Sequence, residues 1–147
     1  MDGGKQTMAG WEPSDLVVHR PPMLLLDTIQ EATEVHCIAQ AQVDPDAWYA
    51  DAEGSMPGWF GIELMAQTCA AYSGARKRQA GQEPSVGFLL GTQSYTSQIS
   101  AFPAGAVLEV EARLFYLDES GLSAFACEIR HLGQSVACAT LKTFEPQ

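Results

Sequence analysis

The residue of this chain placed most suggestively for chemistry is Glu63. It stands in Trp59-Phe60-Gly61-Ile62-Glu63-Leu64-Met65-Ala66, a carboxyl group among side chains that otherwise belong in an interior. Apolar surroundings disfavour a carboxylate and raise its pKa, so such a group can hold a proton near neutral pH and serve as a general acid. Gln67 follows four residues later, on the same helical face, within reach of that carboxyl group or of a molecule beside it. The competing reading has Glu63 pointing into a dimer seam and pairing with an arginine or a backbone amide. Met56-Pro57-Gly58 comes immediately before. The first free amides of a helix beginning there, near Gly58 and Trp59, face outwards with the positive end of the helix dipole behind them, where a carbonyl oxygen gaining negative charge can be held. Glycine at 58 also lets a ligand approach the backbone closely, although Pro-Gly is equally ordinary punctuation before a helix.

The elements that must position these residues are legible in outline. Residues 1 to 10 are polar and glycine-rich and read as a flexible leader, with Met8 a possible second start, ahead of a single domain over 11–147. Pro-Ser-Asp between Trp11 and Arg20 opens a short helix that must stop before Pro21-Pro22. Met23 to Ile29 is an apolar run of strand length, and Glu34 to Val43 alternates as a second strand, with a hairpin through Glu31-Ala32-Thr33. Asp44 to Gly58 loses periodicity and reads as a loop. Trp59 to Gln79 is a long helix, apolar nearly all round in its first four turns, and so expected in the middle of something. Val86 to Leu90, Val107 to Tyr116, Leu122 to Leu132 and Ser135 to Phe144 read as strands, the last three as a meander. The order gives an α+β fold, a curved antiparallel sheet wrapped around one long helix.

Composition bounds the partners. Eight Lys and Arg against 18 Asp and Glu give a formal charge of -10, which excludes a broad basic surface for nucleic acid. No apolar run is long enough to span a bilayer and no secretory h-region opens the chain, so no membrane partner is expected and the cytoplasm is the default compartment. Cys37, Cys69, Cys127 and Cys138 form no CxxC pair and read as inert core thiols. His19, His36 and His131 are scattered, so neither a metal nor a cofactor is expected. His36 and His131 read as solvated or locally paired strand residues.

These residues resemble a known family. Met56-Pro57-Gly58-Trp59-Phe60-Gly61-Ile62-Glu63-Leu64-Met65-Ala66-Gln67 closely resembles the central-helix motif of the hot-dog-fold 3-hydroxyacyl-(acyl carrier protein) dehydratases. His19-Arg20-Pro21-Pro22-Met23-Leu24-Leu25-Leu26-Asp27 resembles their first motif, and Phe102-Pro103-Ala104-Gly105 falls where their later Pro-Gly turn is expected. With Gly87-Phe88-Leu89-Leu90-Gly91-Thr92 the chain looks most like the aryl-polyene type of predicted dehydratases. The resemblance implies a dimer, either a homodimer or a heterodimer with another hot-dog protein, and an acyl carrier protein presenting a phosphopantetheine thioester. It also implies water elimination from a 3-hydroxyacyl chain, of fatty-acid or polyketide type.

In that family the helix acid works with a histidine from an upstream loop of the facing subunit. Here the corresponding position is Tyr49, and no histidine occurs between His36 and His131. A phenol is a poor base at neutral pH. His19 is the replacement to be expected, near Glu63 of the neighbouring subunit, unless it only ties the first strand in place. The missing loop histidine opens a second reading, a non-catalytic or half-site partner of another hot-dog dehydratase. A third is an acyl thioesterase, whose carboxylate would activate water. Gly58, Trp59, Gln67 and Tyr49 are the candidate substrate contacts. Arg76-Lys77-Arg78 is the candidate patch for an acidic carrier protein, or simply a solvated helix end.

Overall fold

The computed structural model describes residues 11–146 except Val86, so the expected leader at 1–10 and the first residue of the expected 86–90 strand lie outside the described residues. A short helix α1 (Pro13–Leu16) comes first, then strands β1 (Thr28–Ala32) and β2 (His36–Gln42). A two-residue strand β3 (Met56–Pro57) leads into the long helix α2 (Phe60–Gln79). Strands β4 (Phe88–Ser97), β5 (Ala101–Phe102), β6 (Val107–Leu117), β7 (Leu122–His131) and β8 (Gln134–Phe144) complete the chain. Six strands form one antiparallel sheet in the order β1-β2-β6-β7-β8-β4, and β3 pairs with β5 apart from it.

The alternation read from the sequence is the alternation of burial. Cys37, Ala39 and Ala41 on β2, Leu108, Val110 and Ala112 on β6, Cys127 and Ile129 on β7, and Ala139 and Leu141 on β8 all face inwards and are buried. Helix α2 lies on that face through Leu64, Met65, Cys69, Ala71, Tyr72 and Ala75. Its partner on the other flank is α1. A methyl group at Gly74 would stand 1.8 Å from the Leu16 carbonyl oxygen, so only glycine lets the two helices approach this closely. On the outer face Arg130 bonds Glu109, Glu111 and Glu128, and His36 is held between Glu31 and Glu111. The expected local pairing of His36 is therefore what the sheet provides.

Several expectations shift. Helix α2 is not covered all round, because a single sheet reaches only one side of it. Trp59, Ile62, Glu63, Ala66, Ala70 and Ser73 form a stripe that stays open or half-open. The first strand is Thr28–Ala32, not Met23 to Ile29, and the turn to β2 moves to 33–35. Strand β4 continues to Ser97, well past Leu90, along a polar stretch that an exposed edge strand tolerates. Of the four thiols three are buried, but Cys138 is exposed on β8. Burial alone pushes the Cys37 thiol up to about 12, as befits an inert core cysteine.

Candidate active site

The site begins where α2 begins. Gln67, on the second turn, is fully buried. Its Oε1 accepts the Leu25 amide at 2.8 Å, and its Nε2 donates to the Met23 carbonyl at 2.8 Å and to Glu63 Oε2 at 2.9 Å. A buried amide side chain is tolerated only when its donors and acceptor are paired, and here the pairing does three things. It takes up the Met23 carbonyl and the Leu25 amide of the apolar run after Pro22, while the Met23 and Leu24 amides turn back to the Arg20 carbonyl, so that run is not β. It anchors the segment that follows His19. It also fixes the orientation of the Glu63 carboxylate. Both Nε2 hydrogens are engaged and the side chain is buried, so Gln67, a substrate contact in the sequence reading, is occupied here by Met23, Leu25 and the Glu63 carboxyl group.

Glu63 itself departs from the expectation of burial, with its side chain 45% exposed in the single chain. His19 stands next to it, its Nε2 3.7 Å from Glu63 Oε2. That is too long for a direct hydrogen bond and within the reach of an ion pair, and it leaves both groups able to touch one molecule lying beside them. The two residues meet within one chain, where the sequence had suggested a meeting across subunits. His19 Nδ1 is buried and has no hydrogen-bond partner among the described residues.

Both groups open on a cavity of about 270 Å³. Leu16, Ala66 and Ala70 give it apolar walls, and Ser85 and Glu145 stand with Phe144 at another part of its lining. Such a slot, with apolar walls and a few polar groups, is the usual form of a small-molecule site.

The remaining sequence candidates divide. The Gly58 amide, expected to receive a carbonyl oxygen, donates instead to the Ser100 carbonyl at 2.9 Å, extending the β3–β5 pairing by one step. A methyl group at 58 would sit 2.8 Å from that same oxygen, so the glycine serves this backbone contact. The amides of Trp59 and Phe60 have no acceptor among the described residues, and the Trp59 side chain is 70% exposed. Tyr49 is not brought to the cavity. Its ring packs against Trp48 and Phe60, and its hydroxyl accepts the Asp44 amide at 2.9 Å. Burial and the negative charges of Asp44 and Asp27 push its pKa up, outweighing that hydrogen bond, so it stays a neutral phenol. The basic patch is largely engaged. Lys77 pairs with Glu145 at 3.1 Å, and Arg78 bonds the Asp15 carbonyl and approaches Glu83, which leaves Arg76 as its exposed member.

Tyr95 was not anticipated. Its hydroxyl donates to the Gly58 carbonyl at 2.5 Å and fills the space a side chain at Gly61 would need. Strand β4 delivers it through an irregularity between Gln93 and Thr96, with Ser94 at φ 56°. A single tyrosine in a polar stretch carries no sequence signal for that role.

Among the described residues no cluster of His, Cys, Asp and Glu could hold a metal ion, and no helix is long and apolar enough to cross a membrane. Comparison with known proteins places this architecture. One chain of the dehydratase heterocomplex ApeI:P from Xenorhabdus doucetiae superposes with a TM-score of 0.88 at 30% identity, over 93% of this chain and 92% of that one. A hypothetical thioesterase protein with coenzyme A from Streptococcus pneumoniae TIGR4 superposes at 0.64 with 16% identity, over 81% and 85%. The TT0310 protein from Thermus thermophilus gives 0.61 with 19% identity, over 80% and 90%. The last two show the fold alone, a hot-dog fold in keeping with the α+β plan read from the sequence. No curated protein matches. The ApeP dehydratase family model matches residues 11–147, and the chain belongs to the ApeP-like family of hot-dog dehydratases.

Proposed function

We propose that this protein eliminates water from 3-hydroxyacyl thioesters carried by an acyl carrier protein, working beside a second hot-dog chain. The observation that carries the reading is the Glu63 carboxyl group, oriented by Gln67 and facing His19 across 3.7 Å at an apolar cavity. A substrate's C2 and C3 are adjacent, so an acid and a base acting on them must stand this close. His19 Nε2 takes the proton from C2. The C3–O bond breaks and Glu63 gives its proton to the departing hydroxyl, which leaves as water. The double bond of an enoyl thioester remains, and the proton on His19 returns to Glu63 across the gap or through water.

The carbonyl oxygen of the thioester gains charge when C2 is deprotonated, and the amides of Trp59 and Phe60 are the donors left to meet it. Two features support a second chain. For Nε2 to accept a proton the ring hydrogen must sit on Nδ1, which has no acceptor among the described residues. Glu63 and the stripe around it also remain open. A second hot-dog chain seated on that stripe would cover both.

The test is turnover of a 3-hydroxyacyl carrier substrate by the purified chain, alone and with a second hot-dog protein. Glu63→Gln and His19→Ala should each lower elimination by about 100-fold or more without changing the fold. Full activity of Glu63→Gln in the assembled pair would reduce the chain to a non-catalytic partner. Release of free acid in place of enoyl thioester would make it a thioesterase.

A further inference from the structure

The cavity extends well away from the reacting groups. It follows one stripe of α2 through Glu63, Ala66, Ala70 and Ser73, so it runs for about 15 Å at the helical rise. Beyond Glu63 the stripe offers only the methyl groups of Ala66 and Ala70 and the Ser73 hydroxyl, which leaves room for a slender apolar chain. At the far end the lining changes character. Glu145, just after β8, presents a carboxylate only 17% exposed, which accepts the Ser85 hydroxyl and pairs with Lys77 Nζ at 3.1 Å. Lys77 lies on the same stripe one turn beyond Ser73, and its side chain is 27% exposed. The Glu145 amide donates to the Gly121 carbonyl, so its backbone is fixed as well.

We propose that Glu145, held by Lys77 and Ser85, is a specificity-determining end-stop that sets the longest acyl chain this cavity accepts. The proposal rests on reading the cavity as the acyl site. Each methylene laid along Ala66, Ala70 and Ser73 leaves water for an apolar wall. The terminal methyl group then meets a partly buried ion pair. Going further means separating two charges that are already short of water, and a hydrocarbon offers neither of them a partner. The wall therefore acts by refusing chains that are too long.

The experiment measures affinity, not turnover. Carrier-free alkyl pantetheine thioethers of increasing chain length, which cannot react, are titrated into the full-length protein, with Lys77→Met, Glu145→Gln and Glu145→Ala alongside. Wild type should bind about fourfold tighter per added methylene until the end-stop is reached, and no tighter thereafter. Glu145→Ala should move that break to chains longer by about two methylenes or more, with Lys77→Met and Glu145→Gln in between because each keeps the group that Ser85 holds but loses the ion pair. A break at the same length in all folded variants overturns the end-stop and leaves the acyl reading intact. Affinity that never rises with chain length overturns both. Should Glu145→Ala fail to fold, Lys77→Met reads the same break, since it removes the ion pair from the partly solvated side.

Discussion

At the residue scale the site is organised by Gln67 more than by either group proposed to react. Its buried side chain joins Met23, Leu25 and the half-exposed Glu63, so removing it leaves the Leu25 amide buried without a partner and the Met23 carbonyl short of one. Gln67→Leu should destabilise the fold by about 1–3 kcal/mol, measured by denaturant unfolding. It should also lower kcat for elimination with little change in KM, because the acid loses its orientation while the cavity walls stay in place. An unchanged kcat in a destabilised protein would make Gln67 a structural residue only. Glu63 and Gln67 were legible in the sequence because polar side chains inside an apolar helix are out of place and need a reason. The Gly58 amide was misread for the opposite cause. Its acceptor, Ser100, lies in a distant segment with no pattern of its own, and only the β3–β5 pairing brings it there.

At the element scale periodicity located α2 and strands β2, β6, β7 and β8 closely, since each has one face on the core and burial follows the alternation. It failed where hydrogen bonds come from side chains or where an edge removes the need for a pattern. Met23 to Asp27 is apolar enough for a strand, yet its backbone bonds go to the Arg20 carbonyl and to the Gln67 side chain, and only the Asp27 amide reaches β2, at the Gln40 carbonyl. Strand β4 is polar beyond Gly91 because it lies at the edge of the sheet. Helix α1 is the small element with the largest consequence, because Leu16 and Val17 fix the start of the segment that delivers His19. The α1–α2 contact depends on Gly74, with the Leu16 backbone where a Cβ would go. Gly74→Ala should therefore cost about 1–3 kcal/mol by overpacking and should displace His19 from Glu63. Activity should then fall further than in a control mutant of equal stability. Equal losses in the two would sever α1 from the function.

At the scale of the whole molecule the open features lie together in the chain's logic even where they come from different elements. Helix α2 and its first flank leave Trp59, Ile62, Ala66 and Ala70 open or half-open, and among the described residues no strand pairs with the outer edge of β4, which carries Leu89 and Leu90, 44% and 59% exposed. A free edge with apolar residues is a liability unless something pairs with it. The sequence anticipated this need from the apolar circumference of α2, but it could not show that one stripe alone is left uncovered, because that depends on how far the sheet curls. Trp59 has the chemistry of an interface anchor, being large, rigid and mostly exposed in the single chain. Trp59→Asp should leave the melting temperature of the isolated chain nearly unchanged, since the ring buries little there. The same substitution should weaken association with a second hot-dog chain by about 30-fold or more, read by sedimentation at a series of concentrations. Elimination should fall in proportion to the lost assembly and recover when the partner is added in excess. Unaltered association would mean that the open stripe of α2 is not the surface the second chain covers. In that case the exposure of Glu63 would have to be explained by substrate access alone.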